Sequence, residues 1–192
     1  MIKLEICDII SIGDFMSKTK KIVFLAILAA LASVLSIADR YLSGAIFPTI
    51  PGAKIGIANI IILIALINYD FKDTFIIVLL KALIGGLLAF GLTSFIIGGI
   101  ASFLSFVVMY LLMKLKDKIS LFAISIAGAI VHTTSQLFTI KIMYGMGNEV
   151  FAYGFYLYLI AIISAIALAI LAIYLNKFYI NIYNKKEDEN KD

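Results

Sequence analysis

The chain has 192 residues, 63% of them hydrophobic and only 15% charged, and its mean hydropathy is +1.09. A soluble globular domain carries roughly 45–50% apolar and about 25% charged residues, so that class is excluded. The net charge of +4 gathers beside the apolar runs, without basic and aromatic interleaving, and implies anionic lipid headgroups rather than nucleic acid as its partner. One cysteine, Cys7, leaves no internal disulfide and no thiolate metal cluster.

In chain order, residues 1–16 carry Glu5, Asp8 and Asp14 and lack an apolar core before a cleavage site, so they read as a cytoplasmic extension rather than a signal peptide. A first apolar run, Ile22 to Ile37, precedes the longest external loop, Asp39 to Lys54, which holds Gly44, Pro48, Pro51 and Gly52. The second run, Ile55 to Asn68, is shorter than the ~20 residues of a full crossing. After a polar link, Tyr69 to Asp73, come Thr74 to Phe90, the turn Gly91 to Ser94, and Phe95 to Met113; without the turn the stretch is too long for one helix. The link Lys114 to Lys118 leads into Leu121 to Ile140, then a second external loop, Lys141 to Glu149, then Phe151 to Leu175. Residues 17–180 thus form one transmembrane domain, and 181–192 have the composition of a disordered, charged cytoplasmic tail.

The runs are continuous rather than alternating, which favours helices over a barrel. The predicted fold is all-α, an integral membrane bundle of six transmembrane helices. With a cytoplasmic N-terminus, twelve of the sixteen Lys and Arg residues fall on the inner side, the distribution that sets orientation in a multi-pass cytoplasmic membrane protein. Arg40, Lys54, Lys81 and Lys141 are the exceptions.

Lys81 stands about 12 Å into the third run, at ~1.5 Å per residue, where an ammonium group is expensive unless it faces a cavity or a partner. It reads either as a cavity-facing cation, with Gly85 leaving room one turn away, or as a lysine snorkelling against carbonyls. His132 and Gln136, four residues apart, share a helix face and serve either as ligand contacts or as interhelical hydrogen-bond partners. Asn59 and Lys54 lie in a Pro-Gly-bounded string at the outer mouth, readable as ligand contacts or as a rigid connector. Ala26 with Ala30 and Ala29 with Ser33 form small-xxx-small pairs, suited to internal packing or to docking of another membrane subunit. No P-loop is present, and no paired aspartates could hold magnesium against a diphosphate. No residue is read as catalytic or metal-binding, and no cofactor is expected.

The string Gly52-Ala-Lys-Ile-Gly-Ile-Ala-Asn59, Lys81 followed by Gly85, the Gly98-Gly99 pair, and Gly128-Ala-Ile-Val-His-Thr-Thr-Ser-Gln136 occur in this order. Together they resemble the bacterial family labelled heptaprenyl diphosphate synthase component I, also called the Gx transporter family, over about Ser17 to Asn176. That family is similar to substrate-specificity (S) components of energy-coupling-factor (ECF) transporters. The resemblance implies six helices and a pocket near the outer face, capped by the first external loop. It also implies an alanine-rich first helix that docks on a coupling (T) subunit served by ATPase subunits; Ala26, Ala29, Ala30 and Ser33 match that pattern. The basic residue of the third helix is usually arginine in the family and is Lys81 here; Thr133 stands where asparagine is expected. Lys54, Asn59, Lys81, His132 and Gln136 are the ligand candidates, for an anionic or isoprenoid- or quinone-related molecule. The chain is expected not to be an enzyme, the alternative being an accessory membrane subunit of heptaprenyl diphosphate synthase.

Overall fold

The computed structural model describes residues 18–46, 48, 53–115 and 118–189, without the side chains of 153 and 179–189. The N-terminal extension, the Pro51-Gly52 turn, Lys116 and residues 190–192 lie outside the described residues. The described residues hold helices joined by short irregular segments and turns, without strands: α1 (Lys18–Ile46), α2 (Asn59–Asn68), α3 (Phe71–Ala82), a π-helical segment (Leu83–Leu88), α4 (Ala89–Met113), α5 (Leu121–Tyr144) and α6 (Glu149–Glu189). Four of its helical runs are long and apolar enough to cross a membrane: Lys18–Ile46, Phe71–Met113, Leu121–Tyr144 and Glu149–Phe178. The protein is therefore an all-helical, multi-pass membrane protein. Val34, Ile142 and Ile163 point outward, whereas Ser36, Asp39, Lys54, Lys81 and His132 are buried, the reverse of the arrangement in a water-soluble domain.

The 43-residue run Phe71–Met113 would measure ~65 Å if straight, about twice the hydrocarbon thickness of a bilayer. It folds back at Gly91, whose φ of 78° and ψ of −176° interrupt the helix in a region that side chains disfavour. The Phe71 ring lies 4.8 Å from Tyr110, Phe75 lies 6.0 Å from Phe103, and a Cβ on Gly86 would stand 3.0 Å from Phe95 Cα. One partner's number rises as the other's falls, so the two arms are antiparallel. The turn expected at Gly91–Ser94 is thus a single-residue hinge, and the π-helical segment before it carries the two glycines that let the backbones close up.

Several boundaries differ from those expected. The loop drawn from Asp39 begins later, because α1 runs on to Ile46 with Asp39 and Ser43 on its buried face. The second apolar run becomes helical only at Asn59; residues 53–56 are irregular and 57–58 form a turn. α5 extends to Tyr144 and stops at Gly145, whose φ of 61° supplies the left-handed end. α6 continues to Glu189, through 181–189 of the 181–192 stretch assigned to the charged tail; a pre-existing helix extends without a new nucleation step even through polar residues.

The segment 53–58 creates the main folding problem, since backbone N–H groups buried in a membrane protein must find partners. Asp39 supplies them. Its carboxylate accepts from the backbone N–H of Ile55 at 3.1 Å, of Gly56 at 2.8 Å and of Ile57 at 3.0 Å, and from the Ser43 hydroxyl at 3.0 Å. Ser43 Oγ in turn accepts from Ile55 N–H, and Gln136 Oε1 accepts from Lys54 N–H at 3.1 Å. Gly56 adopts φ +95°, which turns the chain into α2.

Asp39→Asn places a donor amide among these N–H groups and is expected to destabilise the protein by about 2–3 kcal/mol, read as a lower melting temperature in detergent. Gly86→Ala, which drives a Cβ into the Phe95 backbone, is expected to cost about 1–3 kcal/mol in the same measurement; an unchanged melting temperature would contradict the hairpin packing.

Candidate functional site

The Asp39-held segment delivers Lys54 into the bundle, where its side chain meets α1 and the hairpin. Lys54 is 5% exposed and its Nζ donates to Ser36 Oγ at 3.3 Å. A Cβ on Gly98 would lie 3.3 Å from that Nζ, so the missing side chain there makes space for the ammonium group. Lys81, ten residues into the helical run that begins at Phe71, is also 5% exposed. Its Nζ donates to Asn59 Oδ1 at 3.1 Å and to Ser102 Oγ at 3.1 Å. The partner is drawn from α2 and from the opposite hairpin arm, so the fold fixes this lysine from two sides.

Both lysines line one narrow cavity, about 10 Å³ in volume, room for about one water molecule. Its wall also includes Ser36, Asp39, Gly56, Ser94, Gly98, Ser102 and His132. Each ammonium carries three donors. The hydrogen bonds above use one at Lys54 and two at Lys81, which leaves three N–H groups without a partner among the described residues. Ser94 Oγ and His132 Nδ1 are likewise buried with no such partner. Asp39 is the carboxylate of the wall, and its two oxygens are engaged by three backbone N–H groups and Ser43. The cavity therefore presents an excess of donors and positive charge that its own acceptors do not satisfy.

Lys54 lies between the spanning helices, on the same cavity wall as the Asp39 carboxylate. Arg40 sits near the hairpin tip, its guanidinium 5.5 Å from the Phe90 ring centroid.

Of the residues singled out in the sequence, Lys54, Lys81 and His132 meet at this cavity. Asn59 joins them through Lys81 but presents its side chain to a neighbouring cavity. Gln136 does not line the first cavity; it is fully buried and accepts from the Lys54 backbone. The small residues of α1 separate: Ala29 and Ser33 are buried, with Ser33 O close enough to Gly85 that a Cβ there would lie 3.1 Å away, while Ala26 and Ala30 are exposed. Asp39, Ser36, Ser94 and Ser102 were not singled out. The spacing Ala29, Ser33, Ser36, Asp39, Ser43 continues one buried helical stripe through the polar residues, a signal that the sequence did carry.

No curated protein and no solved structure matches the chain. The sequence profile of one family, described as heptaprenyl diphosphate synthase component I, matches residues 28–175, which takes in the whole of the cavity. The chain belongs to the heptaprenyl diphosphate synthase component I family.

Proposed function

We propose that this protein is the substrate-binding S component of an ECF-type transporter and that it captures a small anionic molecule. The observation that carries this reading is the pair of buried lysines, which donate only to neutral acceptors among the described residues and leave three N–H groups at one cavity. A buried ammonium without a charged partner is costly in a membrane, and an anion that accepts from both lysines offsets that cost. The bundle is read as six crossings: α1, α2 with its irregular lead-in, the two hairpin arms, α5 and α6. Lys18, Lys20, Lys21, Lys72, Lys114 and Lys118 cluster at the ends away from Gly91, so that side is assigned to the cytoplasm and the cavity to the outer half of the cytoplasmic membrane. The exposed face of α1, with Ala26 and Ala30, is the surface offered to a coupling subunit, and ATPase subunits would supply the energy. The chain itself is read as binding rather than catalysing, because the cavity offers donors but no general base paired with a nucleophile.

Native mass spectrometry of the protein, extracted gently from its own membrane, tests this proposal. A bound anionic metabolite together with ATPase and coupling subunits supports it. A soluble prenyltransferase subunit in place of these, with no bound small molecule, would replace it by the accessory-subunit role that the family description suggests.

Lys81→Met removes an ammonium donor while keeping the length of the side chain, and is expected to weaken retention of the bound anion about tenfold or more. Equal ligand occupancy in the variant would leave Lys81 with a packing role only.

A further inference from the structure

A second narrow cavity, also about 10 Å³ in volume, adjoins the first at Gly56, so an occupant larger than a water has to displace wall side chains. Its wall is of different chemistry. Ile60, Met109, Ala129, Ala161, Ala165 and Leu168 line it, and the Ser125 hydroxyl there already donates to Ala165 O at 2.9 Å. No lysine, arginine or carboxylate belongs to this wall. It lies farther from Gly91 than the lysine cavity does, between α2, α4, α5 and α6, at the level of the early turns of α5.

The divider between the two cavities is slight. Gly56 borders both and has no side chain; a Cβ there would come within 3.2 Å of Asn59 Nδ2 and 3.5 Å of His132 Nδ1. Asn59 faces the apolar cavity while its Oδ1 accepts from Lys81 in the other. One amide side chain and one glycine thus separate an ammonium-lined space from an apolar one. Met109, with its unbranched and adaptable side chain, borders the apolar side and can yield to an occupant.

We infer that the second cavity takes the apolar arm of a ligand whose anionic head binds at Lys54 and Lys81, so that the cargo is an amphipathic anion rather than a bare inorganic one. The inference rests on the anion-binding reading of the first cavity. A wall that is mostly aliphatic and carries no charge favours hydrocarbon, as a lysine-lined one does not. The head stays toward the Gly91 end and the arm points toward the middle of the bundle, with Asn59 turning aside at the junction.

The test is a chain-length series of inorganic phosphate and methyl, ethyl, propyl and butyl phosphate, titrated at fixed pH into the full-length protein in detergent by isothermal calorimetry. In the unaltered protein, affinity is expected to rise about fourfold per added methylene. Ala129→Leu and Ser164→Leu, at half-buried positions of the second cavity, fill it and are expected to flatten that dependence. Both variants are read by their slope against chain length, and either suffices if the other does not run as a single species on gel filtration. Should neither fold, the slope of the unaltered protein decides. Lys81→Met separately reports on the head site and is expected to weaken every member of the series alike. A flat series in the unaltered protein, with phosphate binding still sensitive to Lys81→Met, overturns the inference and leaves the anion site standing. A slope that persists in both filled variants also overturns it, by placing the arm elsewhere. Failure of every phosphate to bind overturns both readings.

Discussion

The Asp39 carboxylate is the interaction on which the remainder of this bundle depends. Irregular backbone inside a membrane protein is tolerated only where its polar groups are met by protein or water. Here one side chain meets three consecutive N–H groups, with Ser43 and Gln136 completing the set. Because that segment is held to α1 on one side and α5 on the other, Lys54 and Gly56 have fixed positions inside the bundle. Both cavities inherit their shape from this anchoring.

Charge and close packing are coupled in the same region. Gly98 leaves space for the Lys54 ammonium, Gly85 lets the hairpin approach Ser33 and Ser36, and Gly86 brings the hairpin arms together. Small residues in membrane bundles commonly serve helix approach. In this bundle they also decide where polar groups can be buried, since each omitted side chain leaves a place for a donor or acceptor from the opposite helix. Lys81 illustrates the result: it is anchored by Asn59 and Ser102, from elements that meet only because the chain reverses at Gly91.

Two buried ammonium groups and one engaged carboxylate at a cavity are the basis of the anion-binding proposal, which a sealed hydrophobic bundle would not support. The energetic reason is the low dielectric of the surroundings, which makes both the unpaired charge expensive and its pairing with a ligand favourable. On the inference drawn above, the adjoining apolar cavity would give that ligand a direction. Discrimination among small anions would then come from the shape and polarity of the uncharged part, because charge alone recruits many anions equally.

Length, hydropathy and the distribution of lysines determined the class of this protein and most of its helical runs, because continuous apolar segments in lipid have no alternative to internal hydrogen bonding. Lys54, Lys81 and His132 were also legible as candidates, since polar residues in apolar surroundings stand out one at a time. What the sequence did not disclose is partnership. Asp39 and Ser43 read as loop because charged and small polar residues usually mark a helix end, whereas the tertiary structure buries them by giving the carboxylate backbone donors from residues sixteen to eighteen positions away. Gln136 read equally as a ligand contact or as an interhelical hydrogen-bond partner, because its helix face was known and its opposite surface was not; the fold puts the Lys54 backbone there. The hinge at Gly91, the separation of Ala29 and Ser33 from Ala26 and Ala30, and the two cavities either side of Gly56 were decided by contacts distant in sequence, which local periodicity does not encode.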